Sequence, residues 1–333
     1  MTLAIGVDIG GTKVLGGVVD DSGNVLAQTR RDTPAHDVNR TRELIIEVIN
    51  ELRREHDVAA VGIGAAGWLD VSRSTVLYAP NLAWRNEPLR EHLEAAVDLP
   101  LTLENDANAA AWAEFRYGAG HDADDSMVLF TIGTGIGGGI VLGGEILRGA
   151  HGIAAELGHT LAVPDGLPCG CGGRGCLEQY ASGSALVRFA RAGAKDEPAR
   201  ATRLLELAAG DVNGITGSVV TEAARQGDEV ALAAFGEIGR WLGFGLADLV
   251  QIVDPQVLVV GGGVIAAGEL LLAPARRSFV DTLAQRSRLP IGEIRAASLG
   301  NVAGVVGAAD LARPVPAQAP GPSAGADPAQ ETS

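Results

Sequence analysis

Three cysteines and one histidine carry the sharpest chemical signal in this 333-residue sequence. Cys169, Cys171 and Cys176 fall within eight positions of one another in "CGCGGRGC", and His159 stands ten residues before the first. The sequence holds no other cysteine. Three thiolates and one imidazole make up the Cys3His set of a closed, tetrahedral structural zinc site. Gly170, Gly172, Gly173 and Gly175 let the backbone fold tightly round one ion. The plainer alternative is three buried thiols with no shared task, and the scarcity of cysteine elsewhere argues against it. His36, His56, His92, His121 and His151 have no such company and read as surface or packing residues.

A second chemical signal is "DIGGTK", Asp8 to Lys13. A tight hairpin with paired glycines, Gly10 and Gly11, lets backbone N–H groups approach an anion closely. Thr12 adds a hydroxyl, Lys13 a charge, and Asp8 a carboxylate able to hold Mg2+ through water. An ordinary hairpin would look similar. The turn recurs, however, in "TIGTGIGGG", where Gly133, Thr134 and Gly135 form a second Gly/Thr turn. Two such turns facing a cleft would grip a nucleoside triphosphate from both sides. Neither is a Walker A loop, since no G-x-x-x-x-G-K-[ST] occurs.

In "LENDANAAA", Asn105 and Asp106 stand where a strand gives way to a helix. Either can be the helix N-cap. Alternatively, Asp106 is a carboxylate at the C-terminal end of a strand, where α/β ligand sites lie, and takes a proton from a substrate hydroxyl. "VVGGGV", Val259 to Val264, is a further strand-to-helix glycine turn, and in a nucleotide enzyme Gly262 and Gly263 would wall the adenosine.

The elements that must position these residues follow from periodicity. "LAIGVDIGGTKVLGGVVDDSGNVLAQTRR" reads as three strands joined by the turns "DIGGT" and "DDSGN", with Gly supplying positive φ in both. A helix is expected over 38–55, then a buried strand "VAAVGIGAAG", a strand "LTLEND" and a helix that Gly118 stops. "MVLFTIGTGIGGGIVLGGEILRG" repeats the strand–turn–strand–turn–strand order. Placing Thr131 on Asp8 aligns Gly133 with Gly10 and Gly139 with Gly16, the mark of a duplicated domain. Strand "VLVVGGGV" precedes a helix, and "AGVVGAADLA" closes the fold as a helix. From 314 the chain turns to Pro, Ala, Gly and polar residues without period and reads as a disordered tail. The expected architecture is α/β, with a duplicated β-β-β-α core and a cleft between two domains. These are 1–109 plus the returning segment 301–313, and 110–300.

Composition narrows the partners. With 47% hydrophobic and 4% aromatic residues the chain buries an aliphatic core. A net charge of -15 argues against nucleic acid or an anionic membrane, because phosphate backbones are held by clustered Lys and Arg. Lys13 is one of only two lysines. The N-terminus lacks a basic n-region and an apolar h-region, and no apolar run reaches the ~18 residues of a bilayer span. A cytoplasmic location is expected, where three cysteines do not read as a disulfide framework.

Taken together, the motifs resemble the ROK family of sugar kinases and repressors, within the hexokinase/actin-like (ribonuclease H-like) superfamily. The resemblance runs from about Leu3 to Leu311. "ELGH", Glu156 to His159, followed by "CGCGGRGCLE", Cys169 to Glu178, is similar to the family's E-x-G-H and C-x-C-G-x-x-G-C-x-E signature. The resemblance implies an ATP-dependent glucokinase with Asp106 as catalytic base. It implies sugar-hydroxyl contacts at Asn81, Asn105, Glu156, His159 and Glu178. Gly10, Gly11, Thr12 and Lys13 match the first phosphate loop, Gly133, Thr134 and Gly135 the second, and Gly262 and Gly263 the adenosine turn. His159, Cys169, Cys171 and Cys176 match the zinc ligands. ATP, Mg2+ and a structural Zn2+ are the implied cofactors, glucose or a related hexose the substrate, and a homo-oligomer, dimer or tetramer, the implied assembly. Kinases for fructose, N-acetylmannosamine or N-acetylglucosamine and a polyphosphate-dependent variant remain alternatives, with "VVGGGV" favouring an adenosine donor. A sugar-responsive repressor would need a DNA-binding segment ahead of a first strand that here begins by residue 3.

Overall fold

The computed structural model describes residues 2–284 and 286–314. The tail expected from 314 lies, apart from Pro314, outside the described residues.

Two five-stranded sheets of the same strand order carry the fold. In the first, β1 (Ala4–Ile9), β2 (Lys13–Val19) and β3 (Val25–Asp32) form an antiparallel meander, and β4 (Ala60–Ala65) and β8 (Leu101–Asn105) add on parallel to β1. Between β4 and β8 lies a small sheet of β5 (Trp68–Leu69), β6 (Val76–Tyr78) and β7 (Arg85–Glu87). The second large sheet repeats the plan: β9 (Met127–Ile132), β10 (Ile136–Leu142) and β11 (Glu145–Ile146) form the meander, and β12 (Val257–Gly261) and β13 (Glu293–Ala296) extend it in parallel. The central strands are near-continuous apolar runs, as strands covered on both faces must be.

Helices α1 (Val38–Leu52) and α2 (Leu89–Glu94) belong to the first half, with Leu44, Ile45, Val48 and Ile49 of α1 buried in its core. The second half adds α4 (Glu178–Ala181), α5 (Gly183–Asp196), α6 (Thr202–Leu207), α7 (Gly217–Arg225), α8 (Glu229–Val253) and α9 (Glu269–Thr282). Helix α8 is long and apolar enough by composition to span a bilayer, but most of it is buried inside this half. Gly239 and Gly243 of α8 bring α9 close: a Cβ on either would meet Pro274 Cγ at 2.6 Å or the Ala275 carbonyl at 2.5 Å.

Two helices join the halves. The closing helix α10 (Ala303–Ala312) returns to the first sheet, where only glycine fits beneath it. A Cβ on Gly6 would lie 1.9 Å from the Val305 carbonyl, and one on Gly62 1.8 Å from that of Ala308. Helix α3 (Asp106–Tyr117) packs on α10 through Gly307 and Ala109, and on β10 through Gly139 and Ala111. It runs unbroken across the 109/110 boundary expected from the sequence. Asp310 fixes the pair, accepting from Trp112 Nε1 at 2.8 Å and from the Tyr117 hydroxyl at 2.5 Å.

Several local expectations change. Helix α1 stops at Leu52 rather than at 55, with Arg53 as its C-cap. The helix after "VLVVGGGV" starts only at Glu269, behind a 3-10 turn at Gly263–Ala267. Positive φ occurs at Gly23, in the second turn, but not at Gly10 or Gly11. The repeat also needs a gap. Ile9 faces Val14 across a four-residue turn, whereas Ile132 faces Ile136 across three residues. Past the turn, the partner of Gly16 is therefore Gly138, and Gly139 corresponds to Gly17.

Candidate active site between two glycine hairpins

Both hairpin turns point into the gap between the halves, and each is held by hydrogen bonds from its own side. In the first, Gly10 N–H donates to the Lys13 carbonyl at 2.9 Å, and Thr33 Oγ1 donates to the Gly10 carbonyl at 2.8 Å. In the second, Gly133 N–H donates to the Gly135 carbonyl at 2.9 Å. The start of α5 closes over it: Gly183 N–H reaches the Gly133 carbonyl at 2.8 Å, and Ser184 Oγ the Thr134 carbonyl at 2.7 Å.

The glycines divide the work. A Cβ on Gly11 would lie 2.7 Å from Asn81 Cβ, and one on Gly135 would lie 2.2 Å from Glu178 Oε2. These two positions stay small to seat a polar residue. Gly133 meets nothing within 4 Å, and the nearest atom to a Cβ on Gly10 is 3.7 Å away, so these two leave open space beside bare backbone. Such a cradle admits an anion that a side chain would displace. Gly262, at φ 83, lies against the Ile132 backbone, where a Cβ would come within 2.5 Å. It locks the glycine turn after β12 to the second hairpin.

Three cavities meet here. One of about 210 Å3 is lined by Asp8, Lys13, Asp106, Thr131, Gly262 and Gly304, among others. A second, about 330 Å3, is lined by Trp68, Tyr78, Asn81, Thr134, His159 and Glu178. The third, about 950 Å3, opens beyond Thr134 between α5, α7 and the turn at Gly263. Asn105, Glu156, Gly10, Gly11 and Thr12 are not among the lining residues of these cavities.

Asp106 is the first residue of α3, and the N-cap is Asn105. Asn105 Oδ1 accepts from Asn108 N–H at 3.0 Å, and its Nδ2 donates to the Gly67 carbonyl at 3.0 Å. Asp106 is thereby freed from capping. Burial pushes its carboxyl above the ordinary range, while the N–H groups of its own residue and Ala107 pull the other way. Asp8 rises to about 7, through burial first, then the nearby Asp106 carboxylate, with Lys13 opposing. Glu156 is also raised, again chiefly by burial. His159 and a hydrogen bond to Trp68 oppose that rise, and Asp106 and Glu178 add to it. Asp106, Glu156 and Glu178 therefore share one field, and Asp8 joins it through Asp106. Glu178 itself is held by the second hairpin, accepting from Ile136 N–H at 3.0 Å.

The Cys3His set converges. The ligand atoms of His159, Cys169, Cys171 and Cys176 all lie within 4.8 Å of one another. Cys171 and Cys176 Sγ are 3.7 Å apart, and Cys169 Sγ is 3.6 Å from His159 Nδ1. A tetrahedron with Zn–S of about 2.3 Å and Zn–N of about 2.0 Å has edges of roughly 3.5–3.8 Å, which the Cys171–Cys176 and Cys169–His159 separations match. Burial, with the adjacent Cys169 and Cys171, pushes the Cys176 thiol up to about 12. The chain alone therefore does not favour three thiolates together, and a divalent ion held there would supply the missing charge. Ligation through Nδ1 leaves the other nitrogen of His159 free, in a ring that lines the 330 Å3 cavity.

Other residues at the site carried no motif. Trp68, Tyr78, Gln179 and Ser182 line the second cavity. Arg85 stacks 4.1 Å over Tyr78 and donates to the carbonyls of Ala79 and Leu82, bracing the loop that presents Asn81. Arg191, Thr221, Glu222 and Arg225 line the third cavity. Their elements, α5 and α7, are amphipathic helices legible only as helices.

Two like-ordered sheets, each with an anion-ready hairpin, and a desolvated carboxylate at the junction define a two-lobed phosphotransferase of the hexokinase/actin-like fold. The chain belongs to the ROK family, whose model matches residues 4–315. It is 50% identical over 317 residues to a glucokinase of Streptomyces coelicolor, covering 94% of this chain and 98% of that protein. Against a glucokinase of Thermotoga maritima the identity is 38% over 313 residues, covering 92% and 96%. The solved ROK family glucokinase of Streptomyces griseus, in complex with glucose and AMPPNP, superposes with a TM-score of 0.85 at 52% identity, covering 93% of this chain and 99% of that one.

Proposed function

We infer that the chain transfers the γ-phosphoryl group of ATP to the 6-hydroxyl of glucose, giving glucose 6-phosphate and ADP. The observation that carries this reading is Asp106, a desolvated carboxylate freed from capping at the meeting point of two glycine hairpins. Its raised pKa makes it a stronger base than an exposed aspartate. As O6 bonds to the γ-phosphorus, the P–O bond to ADP breaks. The hydroxyl proton passes to Asp106 and the electron pair of the broken bond leaves with ADP.

In this reading Asn81, Asn105, Glu156, His159 and Glu178 hold the remaining sugar hydroxyls. The N–H groups of Gly10, Gly11 and Thr12 and of Gly133, Thr134 and Gly135 cradle the phosphates, with Lys13 adding charge. Gly262 and Gly263 wall the adenosine. Mg2+, held through water near Asp8, supplies neutralising charge to the phosphates when bound. His159, Cys169, Cys171 and Cys176 would hold a structural Zn2+, which would supply a fixed cross-link and no activated water. The glycine-rich loop so tied would aim Glu156, His159 and Glu178 at one ligand. The lobes are proposed as 1–109 with 301–313, and 110–300, and their closure excludes water as a competing nucleophile. A cytoplasmic location, where ATP is abundant and thiols stay reduced, suits this chemistry. The family resemblance adds a homo-oligomer, to be read by sedimentation.

The test is a coupled assay of wild type and Asp106→Asn over glucose, fructose, N-acetylmannosamine and N-acetylglucosamine, with ATP or polyphosphate as donor. Glucose with ATP is expected to give the highest kcat/KM. Asp106→Asn is expected to lower turnover by about 10²–10⁴ with sugar binding largely kept. Near-normal turnover in that variant would sink the assignment of the base. Faster phosphorylation of an N-acetylhexosamine would sink the sugar assignment alone.

A further inference from the structure

A buried carboxylate two residues before Asp106 has partners on both lobes. Glu104, at the end of β8, is 2% exposed. Its Oε1 accepts from Asn105 N–H at 3.0 Å and from Asn108 Nδ2 at 3.2 Å, two groups flanking Asp106 at the first turn of α3. Its Oε2 accepts from Arg148, with Nε at 2.8 Å and the terminal nitrogen at 2.7 Å, and lies 3.6 Å from Arg73. Arg73 sits between β5 and β6, on the small-sheet hairpin of the first lobe. Arg148 follows β11, in the second lobe, and opens the segment that ends in Glu156 and leads to His159. That segment is seated on the same hairpin: Gly152, at φ 81, has no room for a Cβ, which would lie 2.9 Å from the Leu69 carbonyl.

We propose that Glu104 is a positioning residue for phosphoryl transfer: one carboxylate oxygen fixes the helix turn that carries Asp106, and the other binds Arg148 and so sets the spacing between Asp106 and the Glu156 segment of the opposite lobe. A buried carboxylate must be met at both oxygens or it destabilises the fold, and here Arg148 reaches it from across the cleft while the other partners belong to its own side. Neither Glu104 nor Arg148 lines the third cavity, and the segment that Arg148 opens leads to Glu156 and His159, so the bond acts on the chemical step and not on nucleotide affinity. Displacing a catalytic group by about 1 Å lowers turnover by roughly 10²-fold. A structural ion pair would instead change melting temperature and leave turnover alone.

The inference rests on Asp106 as the proton acceptor, and the experiment separates the two. Glu104→Gln, Arg148→Met, their combination and Arg148→Lys are assayed with Asp106→Asn alongside, at a temperature well below every melting point. Each of the first two is expected to lower kcat by about 10–10²-fold with the KM for ATP within about twofold. The double variant should be little worse than the poorer single, because both break one linkage. Arg148→Lys, which keeps the charge, should restore part of the loss. Turnover within twofold of wild type in folded Glu104→Gln and Arg148→Met, or full additivity in the double, overturns the proposal while Asp106→Asn still reports on the base. Should Glu104→Gln not fold, Arg148→Met decides, since it leaves the Oε1 bonds and Arg73 in place.

Discussion

The two glycine hairpins share a plan and divide the charge unequally. Each seats a polar residue of its own lobe against a glycine, Asn81 on Gly11 and Glu178 on Gly135. Each leaves a second glycine, Gly10 or Gly133, beside open space. The first hairpin carries a carboxylate and an ammonium, Asp8 and Lys13, whereas Thr131 faces the same cavity from the second. The four-residue turn has room for Lys13 as its last member, and the three-residue turn is tightened onto α5 instead. The repeated plan gives two open glycine turns, and only the first, the one next to Asp106, sets charged side chains in the shared cavity.

The sharpest way to break that contrast is to neutralise the two equivalent positions. Asp8→Asn is expected to lower kcat by a factor on the order of 10² or more, by removing the carboxylate that orders Mg2+ beside the phosphates. Thr131→Val should cost less than about tenfold. Equal losses in steady-state assays would mean that the lobes share the charge after all.

The Cys3His loop belongs to the second half, and in the proposed reading it bears on the sugar and not on the nucleotide. Cys171→Ser is expected to lower zinc content from about one per chain, lower stability, and weaken glucose binding by about 10–10²-fold, as loss of a metal's supporting frame does. Added Mg2+ should rescue none of these. Elemental analysis with glucose titration checks this, and metal-free protein that binds glucose normally would reduce the loop to a local staple.

The glycines allow a finer comparison. Gly135→Ala drives a methyl into Glu178 and should lower both melting temperature and glucose affinity. Gly133→Ala meets nothing in the protein, so melting temperature should hold while ATP affinity falls about tenfold, because the methyl takes space an anion needs. Unchanged ATP affinity would mean that the phosphates lie elsewhere.

What was legible in the sequence followed from residue type more than from periodicity. The strands bearing Asp8 and Thr131 were readable because buried central strands are unbroken apolar runs. The one-residue difference between the turns was not, because glycine-rich β10 (IGGGIVL) aligns equally well in either register. Helix α8 was hidden by Gly236, Gly239, Gly243 and Gly245, residues that usually end helices. Two of them are there so that α9 can pack closely. Of the site, the convergence of His159, Cys169, Cys171 and Cys176 was readable, being the three cysteines of the sequence and one histidine within eighteen positions. The choice of Asn105 over Asp106 as the cap, Arg85 as the brace of the Asn81 loop, and Glu104 with Arg148 were not. Each takes its meaning from a partner distant in sequence or from the geometry of one helix turn.

The mildest test reads the same asymmetry in stability. Asp8 ionises near 7 in the folded chain and near 3.8 when unfolded. Its folded-state pKa is raised, so the native state binds the proton more tightly. Below about pH 4 both states are protonated and Asp8 costs nothing. As pH rises from about 4 to 7 the unfolded chain loses its proton first, and stability falls across that window, levelling off above 7. Asn is neutral throughout and escapes the penalty. Asp8→Asn should therefore melt several degrees above wild type at pH 8, by less at pH 5, and with little difference at pH 4, even as it loses turnover. Thr131→Val, which removes no charge, should show no such pH trend. Thermal melts of metal- and nucleotide-free protein at the three pH values decide it. A gain that grows as pH falls would mean that Asp8 is ionised and partnered in the folded chain, and a constant offset that its pKa is the same folded and unfolded; either result would mean that the first hairpin carries no more strain than the second.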